Sequence, residues 1–493
     1  MKALTTIALS VALAGCAVGP NYRRPTIAAP TQWNAADARG TKSGAPVDAD
    51  QWWQSFHDAE LDSLIRRAVA ANYDLAQATA RVEEARAAVG QARSNYNPQI
   101  NAKTSATRDR QVGVGLVPSS GRVSPVLFPY ETNKYSGDLS LSWELDLFGR
   151  IRRGVEAAKD DLAAYEQDRR NVLVALLGDV GRYYASLRGD QLRREIAEKN
   201  IAIAMDTRDL TRDLARAGQA TERDAAQAEA QLEVVCAQVP VINTNIQMSI
   251  HRLGVLLGEA PGALEEELAT KGPIPPAPPE VPTGVPSDLL KRRPDIQRAE
   301  AQLAAATARV GEAKADYFPR FTLLGNAGRE AQQLHDLTLG LGNFFSVGPA
   351  VSVPVFTGGK IRSNVAVQDA RVKEALAAYH SAILNAFEET ENALVSFGNE
   401  QDRRDRLSAT IAADQDAFEL ASVQYRAGLS DFLTVLDAQR ELYANQDLLA
   451  QSQTQVTSSL IGLYKALGGG WSVSVRDRDF TARAIDADAG GNR

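Results

Sequence analysis

The sequence contains two copies of one pattern, and this duplication limits the folds that the chain can adopt. Residues 72–100 read NYDLAQATARVEEARAAVGQARSNYNPQI, and residues 293–321 read RPDIQRAEAQLAAATARVGEAKADYFPRF. At an offset of 221 residues, Asp74 matches Asp295, and the Tyr-x-Pro motif near the end of one segment matches that of the other. A repeat this long predicts two equivalent structural units.

The later part of each copy matches at a smaller offset. At 210 residues, LDLFGRIR at 145–152 matches VFTGGKIR at 355–362, and the tripeptide Arg-Ala-Gly that begins at Arg216 recurs at Arg426. The change of offset means that the first copy carries about eleven extra residues within the range 98–142.

Each copy is predicted to run as helix, hairpin, long helix, turn and helix. Asp74 is the predicted N-cap of a helix that must end before Pro98. The stretch Arg150–Ala215 contains few helix breakers and would span about 100 Å as one helix. The other predicted helices are Thr221–Leu257, Asp295–Tyr317, Lys360–Ala427 and Ser430–Leu467. Helices of this length predict a tube, a fibre or a bundle.

Between the first helix and the long helix of each copy, apolar and polar residues alternate. In Asp138–Leu147 the apolar positions are Leu139, Leu141, Trp143, Leu145 and Leu147. The other predicted strands are Gln99–Asp109, Arg320–Glu330 and Val347–Val355, the last with Pro354 near its end. Ten-residue segments of this kind are typical of transmembrane β-strands, although a soluble hairpin with one buried face shows the same pattern.

Four strands are too few to close a barrel within one chain. A bilayer offers no partner for the backbone groups of an open sheet edge, and single-chain barrels begin at about eight strands. If these strands span a membrane, several copies of the chain must contribute to one barrel.

The first sixteen residues, MKALTTIALSVALAGC, have the features of a secretory signal. Lys2 precedes the apolar stretch Ala3–Ala12, which is too short to span a bilayer. Residues 13–16, Leu-Ala-Gly-Cys, resemble a bacterial lipobox, in which cleavage before Cys16 leaves that cysteine as a lipid-modified, palmitate-bearing N terminus. Ala17 in place of aspartate favours the outer membrane as destination. The alternative is an ordinary signal with a chance cysteine.

The repeats and the proline-rich segments predict the domain organisation. The predicted parts are a signal peptide (1–15), a lipidated extended segment (16–58), the first repeat (59–258, hairpin at about 99–147), a proline-rich connector (259–288), the second repeat (289–468, hairpin at about 320–356) and a C-terminal tail (469–493). Prolines rule out a continuous helix through the connector.

Composition argues against three other classes of protein. The formal charge is −7 and no strongly basic block is present, which argues against a dedicated nucleic-acid surface. The four histidines and two cysteines lack metal-ligand spacing, and Cys236 has no predicted disulfide partner. Carboxylates occupy charged helix faces without a nearby histidine, cysteine or phosphate-binding loop. We therefore predict no enzymatic activity, no metal, and no cofactor other than the lipid on Cys16.

These features together resemble the outer-membrane factors, the TolC- and OprM-like exit ducts, and especially their lipoprotein branch. The resemblance rests on the lipobox, the duplicated segments, and the motifs SWELDLFGRIRR, VPVFTGGKIR and YRAGLSDFLTVLDAQREL. It implies a mainly α fold with transmembrane β-strands: a homotrimer whose 12-stranded barrel in the outer membrane continues into a periplasmic tunnel of twelve helices. An equatorial belt would come from the terminal segments and the connector.

The resemblance also implies partners and a function. The partners would be a periplasmic adaptor (membrane fusion protein) and an inner-membrane transporter of the resistance-nodulation-division (RND) type. The chain would conduct drugs or other small toxic compounds out of the cell, which would contribute to antibiotic resistance. A type I secretion duct, a metal-efflux duct or an outer-membrane-anchored coiled-coil scaffold without a pore are the alternatives.

The Arg-Ala-Gly tripeptides interrupt the helical pattern in both copies. Gly218 and Gly428 suit a helix-ending position with positive φ, which residues with a Cβ resist. The resemblance implies that these turns form the periplasmic helix tips and the adaptor-docking surface. The turn residues are Arg216, Ala217, Gly218, Arg426, Ala427 and Gly428.

The helix after the second turn presents two different faces. Leu433, Asp437 and Arg440 share one face through their spacing, whereas Phe432, Val435, Leu436 and Leu442 occupy the packing side. The resemblance implies a leucine ring at Leu433, an aspartate ring at Asp437, and a latch joining Arg440 to Asp224 and Tyr425. Without the resemblance, a solvated helix face with an ordinary Asp–Arg pair explains the same residues.

Overall fold

The computed structural model describes residues 17–36, 38–44, 50–119, 122–339 and 342–471. The predicted signal peptide, Cys16 and most of the predicted C-terminal tail lie outside these residues. The chain divides into two compact units. The first contains residues 83–163 and 301–377 with the N-terminal residues to 24, and the second contains residues 25–82, 164–300 and those from 378 onward.

The strands in the described residues are β1 (Thr41–Ser43), β2 (Gln99–Ser119), β3 (Arg122–Leu145), β4 (Val281–Gly284), β5 (Arg320–Ala331) and β6 (Asn343–Ser352). In the first unit, β2, β3, β5 and β6 form an antiparallel sheet in that order. The two predicted hairpins therefore pair with each other, and β2 and β6 are the edge strands.

The first hairpin is longer than the sequence pattern predicted. Its strands were expected to cover 99–109 and 138–147, but β2 and β3 pair without interruption from Gln99 opposite Ser142 to Ser119 opposite Arg122. The extra residues of the first copy thus extend both strands instead of forming a loop. Within β3, only the second half, from Tyr135 to Leu145, pairs with β5.

The sheet has one apolar face and one polar face. Successive side chains of a strand point to opposite sides, so one face carries Leu139, Leu141, Trp143 and Leu145 of β3, Phe321 and Leu323 of β5, and Phe345, Val347 and Val351 of β6. The other face is mainly polar: it carries Ser140, Ser142 and Glu144, with Leu324 and Phe344 as apolar exceptions. An ion pair of 2.8 Å joins Lys134 Nζ to Glu330 Oε2 on this face. Leu147 and Pro354 lie beyond the strands.

The helices in the described residues are α1 (Ala59–Ala71), α2 (Tyr73–Ser94), α3 (Arg150–Arg216), α4 (Glu222–Cys236), α5 (Gln238–Leu256), α6 (Glu265–Leu268), α7 (Pro286–Arg292), α8 (Pro294–Ala315), α9 (Asp336–Leu339), α10 (Lys360–Arg426) and α11 (Phe432–Ala466). Helices α3 and α10 each contain 67 residues, which confirms the predicted long helices. No described helix combines the length and the apolar composition needed to cross a membrane.

Two details of the helix prediction were wrong. The N-cap before α2 is Asn72 rather than Asp74, since Asn72 Oδ1 accepts the Leu75 N–H at 2.9 Å. The helix expected over 221–257 is divided at Ala237 into α4 and α5. Pro240, which has no N–H to donate to the carbonyl of Cys236, explains the break.

The connector contains more structure than its prolines indicated. Helix α6 lies between Pro261 and the later prolines, and β4 pairs in parallel with β1. Thr457 Oγ1 donates a hydrogen bond of 2.9 Å to the carbonyl of Pro275. The core of the second unit includes Trp52, whose ring stacks on Tyr464 with centroids 5.6 Å apart.

Candidate functional site

Both Arg-Ala-Gly tripeptides end a long helix with the same turn. Gly218 has φ +71°. Its N–H donates to Ala215 O at 2.9 Å, and the Gln219 N–H donates to Leu214 O at 2.8 Å. These two bonds define a Schellman motif, in which the left-handed residue is normally glycine.

The second turn repeats this geometry. Gly428 has φ +72°. Its N–H donates to Tyr425 O at 2.9 Å, and the Leu429 N–H donates to Gln424 O at 2.9 Å. The predicted conformation of both glycines is therefore confirmed, and the turns place α3 beside α4 and α10 beside α11.

The helices that follow the turns are capped by the same pair of residue types in opposite order. Thr221 Oγ1 accepts the Asp224 N–H at 3.2 Å, while an Asp224 carboxylate oxygen accepts the Thr221 N–H at 3.0 Å. In the second copy, Asp431 Oδ1 accepts the Thr434 N–H at 3.1 Å and its hydroxyl at 2.7 Å. The T-x-x-D spacing signals such a capping box, but the sequence interpretation gave Asp224 only a latch role.

The two predicted faces of α11 are present. Leu433 is 47% exposed, and Asp437 and Arg440 are also exposed. The residues of the packing side, each at most 3% exposed, are Phe432, Val435, Leu436 and Leu442. Leu433, Asp437 and Arg440 are thus free to face a tunnel or a second chain.

Arg440 contacts a residue that the sequence interpretation missed. Its Nε donates a hydrogen bond of 2.8 Å to Oε1 of Gln231 on α4, and Gln231 is 5% exposed. Gln231 lies seven residues after Asp224, on the same helix face, and this spacing was the available signal.

Within one chain the predicted latch residues do not form one cluster of contacts. The Asp224 carboxylate belongs to the capping box, and Arg440 donates to Gln231. The ring of Tyr425 packs against Phe432 with centroids 5.5 Å apart. Burial, reinforced by the Asp224 charge, raises the pKa of the Tyr425 phenol. A link between Arg440 and Asp224 of different copies stays a prediction.

A buried network of hydrogen bonds joins α11 to α3 at some distance from the helix tips. Tyr443 donates its hydroxyl proton to Asn200 O at 3.0 Å and accepts a hydrogen bond of 2.8 Å from Gln439 Nε2. Further from the tips, Arg193 bridges Asp190 at 2.9 Å and Asp447 at 2.6 Å. These contacts fix the register between α3 and α11.

The described residues contain no group of three histidine, cysteine or acidic side chains that could hold a metal ion.

Comparison with known proteins identifies the family. The family model for the outer membrane efflux protein matches residues 64–259 and 285–469. The solvent efflux pump outer membrane protein SrpC of Pseudomonas putida is 33% identical over 477 residues, covering 96% of this chain and 99% of that protein. Nodulation protein T of Rhizobium leguminosarum bv. trifolii is 31% identical over 468 residues, covering 95% and 97%.

Solved structures show the same fold. The outer-membrane channel OprN has a TM-score of 0.84 and 35% identity, covering 92% of this chain and all of that chain (100%). The open state of the MtrE outer membrane channel of Neisseria gonorrhoeae has a TM-score of 0.75 and 26% identity, covering 92% and 99%. The family consists of passive outer-membrane ducts, not enzymes. This chain belongs to the outer membrane efflux protein family.

Proposed function

We propose that the protein is the outer-membrane exit duct of a tripartite efflux pump. The observation that carries the proposal is the four-stranded sheet with one apolar and one polar face. The part of β3 that pairs with β5, Tyr135–Leu145, covers eleven residues. A tilted transmembrane strand needs about 9–11 residues.

The open edges of the sheet support a homotrimer. Strands β2 and β6 each have one unpaired edge, and an edge inside a bilayer must find a hydrogen-bonding partner. Three copies that pair β6 of one chain with β2 of the next would close a barrel of twelve strands. The apolar face would contact lipid, and the polar face would line the pore.

The helices would form the tunnel. Each copy contributes the long helices α3 and α10 and the shorter helices beside them, so three copies give a ring of twelve helical rows. At the helix tips, Leu433 and Asp437 of three copies would form two constricting rings. Arg440 would help to hold the tips together, through Gln231 within its chain and through Asp224 or Tyr425 across chains.

The remaining parts of the proposal concern partners and cargo. The turns at Gly218 and Gly428 would dock a periplasmic adaptor, which would join the duct to an inner-membrane RND transporter. Lipid on Cys16 would anchor the N terminus in the outer membrane. The names of relatives refer to solvents, toluene and antibiotics, which supports small toxic compounds as cargo.

Single-channel conductance in a planar bilayer tests the proposal directly. We expect small, infrequent openings from the wild-type protein and large openings from Asp437→Ala/Arg440→Ala, because the double substitution removes two polar groups from the constriction. An Asn243→Ala variant, changed on an exposed position of α5 away from the tips, serves as the control. No conductance from folded, inserted protein in any variant would leave a non-conducting scaffold as the better account.

A further inference from the structure

A groove runs along β5 on the apolar face of the sheet. Gly325 and Ala327 form its floor, because neither of these successive positions on this face carries a large side chain. The walls lie on the two adjacent strands, and the groove has a volume of about 330 Å³. The wall residues are Leu139 and Leu141 of β3 and Phe345 and Val347 of β6.

The two ends of the groove differ in character. At the end nearer to α8, Trp143 and its register partner Leu323 place large apolar side chains on the same face. At the far end Arg329 is the register partner of Gly137. A Cβ added to Gly137 would have no neighbour closer than 4.0 Å in the described chain. The groove is therefore bounded by apolar side chains at one end and opens beside a guanidinium group at the other.

Arg329 brings a positive charge to this opening. Its Nε donates a hydrogen bond of 2.9 Å to Asn343 Oδ1, and its Nη1 donates one of 3.0 Å to Leu337 O. Both acceptors are uncharged, so neither contact neutralises the guanidinium. Since a guanidinium has five N–H donors, these two bonds fix the side chain and leave donors for an anion.

The groove lies within one chain and would stay open in the proposed barrel. Strand β5 lies between β3 and β6, so pairing of β2 and β6 with other copies would leave it uncovered. In the proposed duct this face contacts lipid. Because β5 begins at Arg320, shortly after α8, and runs away from that helix, the opening beside Arg329 would lie nearer the outer surface of the membrane.

We propose that the groove binds an acyl chain of a phosphorylated glycolipid of the outer leaflet, with Arg329 in contact with a phosphate. This inference rests on the proposed function, because it requires the apolar face to lie in an outer membrane. From Gly325 to Arg329 the groove covers about 13 Å at 3.3 Å per residue, which accommodates part of one chain.

The chemistry of the opening favours this lipid over others. Arginine binds phosphate oxygens through paired N–H groups, and basic residues at the membrane surface recognise anionic headgroups. A zwitterionic phospholipid would gain less from the charge of Arg329. The outer leaflet of an outer membrane is rich in acylated, phosphorylated glycolipid, and the opening faces that leaflet.

Lipid retention by the purified full-length protein tests the groove. Delipidated protein in detergent is incubated with lipid A, phosphatidylglycerol or phosphatidylcholine, and the lipid retained per chain is measured by native mass spectrometry. The wild type should retain one lipid A per chain. Gly325→Leu should weaken this binding by about tenfold, and Ala327→Leu is the second variant in case the first does not fold. The matched control Gly348→Leu adds the same side chain on the opposite face, where its Cβ meets nothing within 4 Å.

The phosphate contact has its own variants. Arg329→Gln should weaken lipid A binding by about tenfold without changing the binding of phosphatidylcholine. Arg329→Lys keeps the charge and should retain part of the affinity. Arg320→Gln, which changes an arginine at the other end of β5 that pairs with Asp316 at 2.5 Å, is the control.

The outcomes separate this inference from the proposed function. Conductance of Gly325→Leu should equal that of the wild type, because the groove faces away from the proposed pore. Equal lipid A retention by the wild type, Gly325→Leu and Ala327→Leu in a conducting protein would overturn the groove alone. An Arg329→Gln variant with unchanged lipid A binding, or stronger retention of phosphatidylglycerol than of lipid A, would overturn the glycolipid assignment. Protein that binds lipid A as expected but never conducts would overturn the duct and leave the lipid site in place.

Discussion

The hydroxyl of Tyr443 provides a sharp test of the network that joins α11 to α3. The side chain is 7% exposed, and the Gln439 amide that donates to it is 1% exposed. Tyr443→Phe removes the acceptor at 2.8 Å from Gln439 Nε2, which then keeps only a contact of 3.4 Å with Thr207 Oγ1. Asn200 O is a helical carbonyl and retains its backbone partner, so most of the cost falls on the Gln439 amide.

The size of the effect follows from these contacts. A lost buried hydrogen bond that leaves its donor poorly satisfied costs about 1–3 kcal/mol. A change of 1 kcal/mol shifts the thermal midpoint by about 2–4 °C in chains of 150–250 residues, and by less in longer ones. We expect Tyr443→Phe to lower the midpoint of purified protein by a few degrees, measured by circular dichroism or by intrinsic fluorescence.

A double-substitution cycle separates the hydrogen bond from other effects. In a Gln439→Leu background no amide needs an acceptor, so Tyr443→Phe should lower the free energy of unfolding by less than in the wild type. The expected coupling energy is about 0.5 kcal/mol or more. Tyr165→Phe, at a position that is 44% exposed on α3, is the control for loss of a phenol hydroxyl. Equal shifts of the thermal midpoint for Tyr443→Phe and Tyr165→Phe would show that the Gln439–Tyr443 hydrogen bond does not stabilise the fold.

Three further predictions concern the turns, a buried carboxyl and a cap. Gly428→Ala should destabilise the chain by about 1–2 kcal/mol because φ is +72°. The control Gly462→Ala, in the interior of α11 with open space for the added Cβ, should stabilise it by about 1 kcal/mol. Both effects are measured as thermal midpoints, and equal shifts would contradict the assignment of strain to Gly428. Burial, reinforced by neighbouring carboxylates, raises the pKa of Asp160 from 3.8 to about 6, so its contribution to stability falls as pH rises through that window. In Asp160→Asn the thermal midpoint should therefore change less with pH between about 4 and 6 than in the wild type. An unchanged pH dependence of the midpoint would contradict this prediction. Thr221→Ala should lower the free energy of unfolding by about 1 kcal/mol, whereas the exchange Thr221→Asp/Asp224→Thr, which copies the order in the second repeat, should restore stability. If the exchanged variant also gains basal conductance, Asp224 has a latch role beyond capping. If it stays as unstable as Thr221→Ala, the two caps are not equivalent.

Local patterns predicted the elements well because they depend on neighbours in sequence. The long helix from Arg150 was expected to end at Ala215 and ends at Arg216, and the strand expected to begin at Arg320 does so. Helical and strand periodicities, glycine conformations and the division of α11 into two faces all arise from side chains a few residues apart.

The errors occurred where two local signals competed. Asn72 and Asp74 are both good capping residues, and the packed position of α2 selected Asn72. The extra residues of the first copy could have formed a loop, but pairing of β2 with β3 along their full length satisfies their backbone groups. Pro240 is a recognisable helix breaker, but it interrupts the backbone hydrogen bonds of only one turn, and the chain is helical on both sides of the break.

The amino-acid sequence was enough to predict the duplication, the helical and strand segments, the turn glycines and the apolar side of each element, since these follow from backbone sterics and from which residues avoid water. The partner that a polar group takes on another helix depended on tertiary packing. Packing directed Arg440 to Gln231, whereas the capping role of Asp224 is a local contact that the T-x-x-D spacing signals. A hydrogen bond between residues 209 positions apart depends on how α4 and α11 pack. No local pattern specifies that distance.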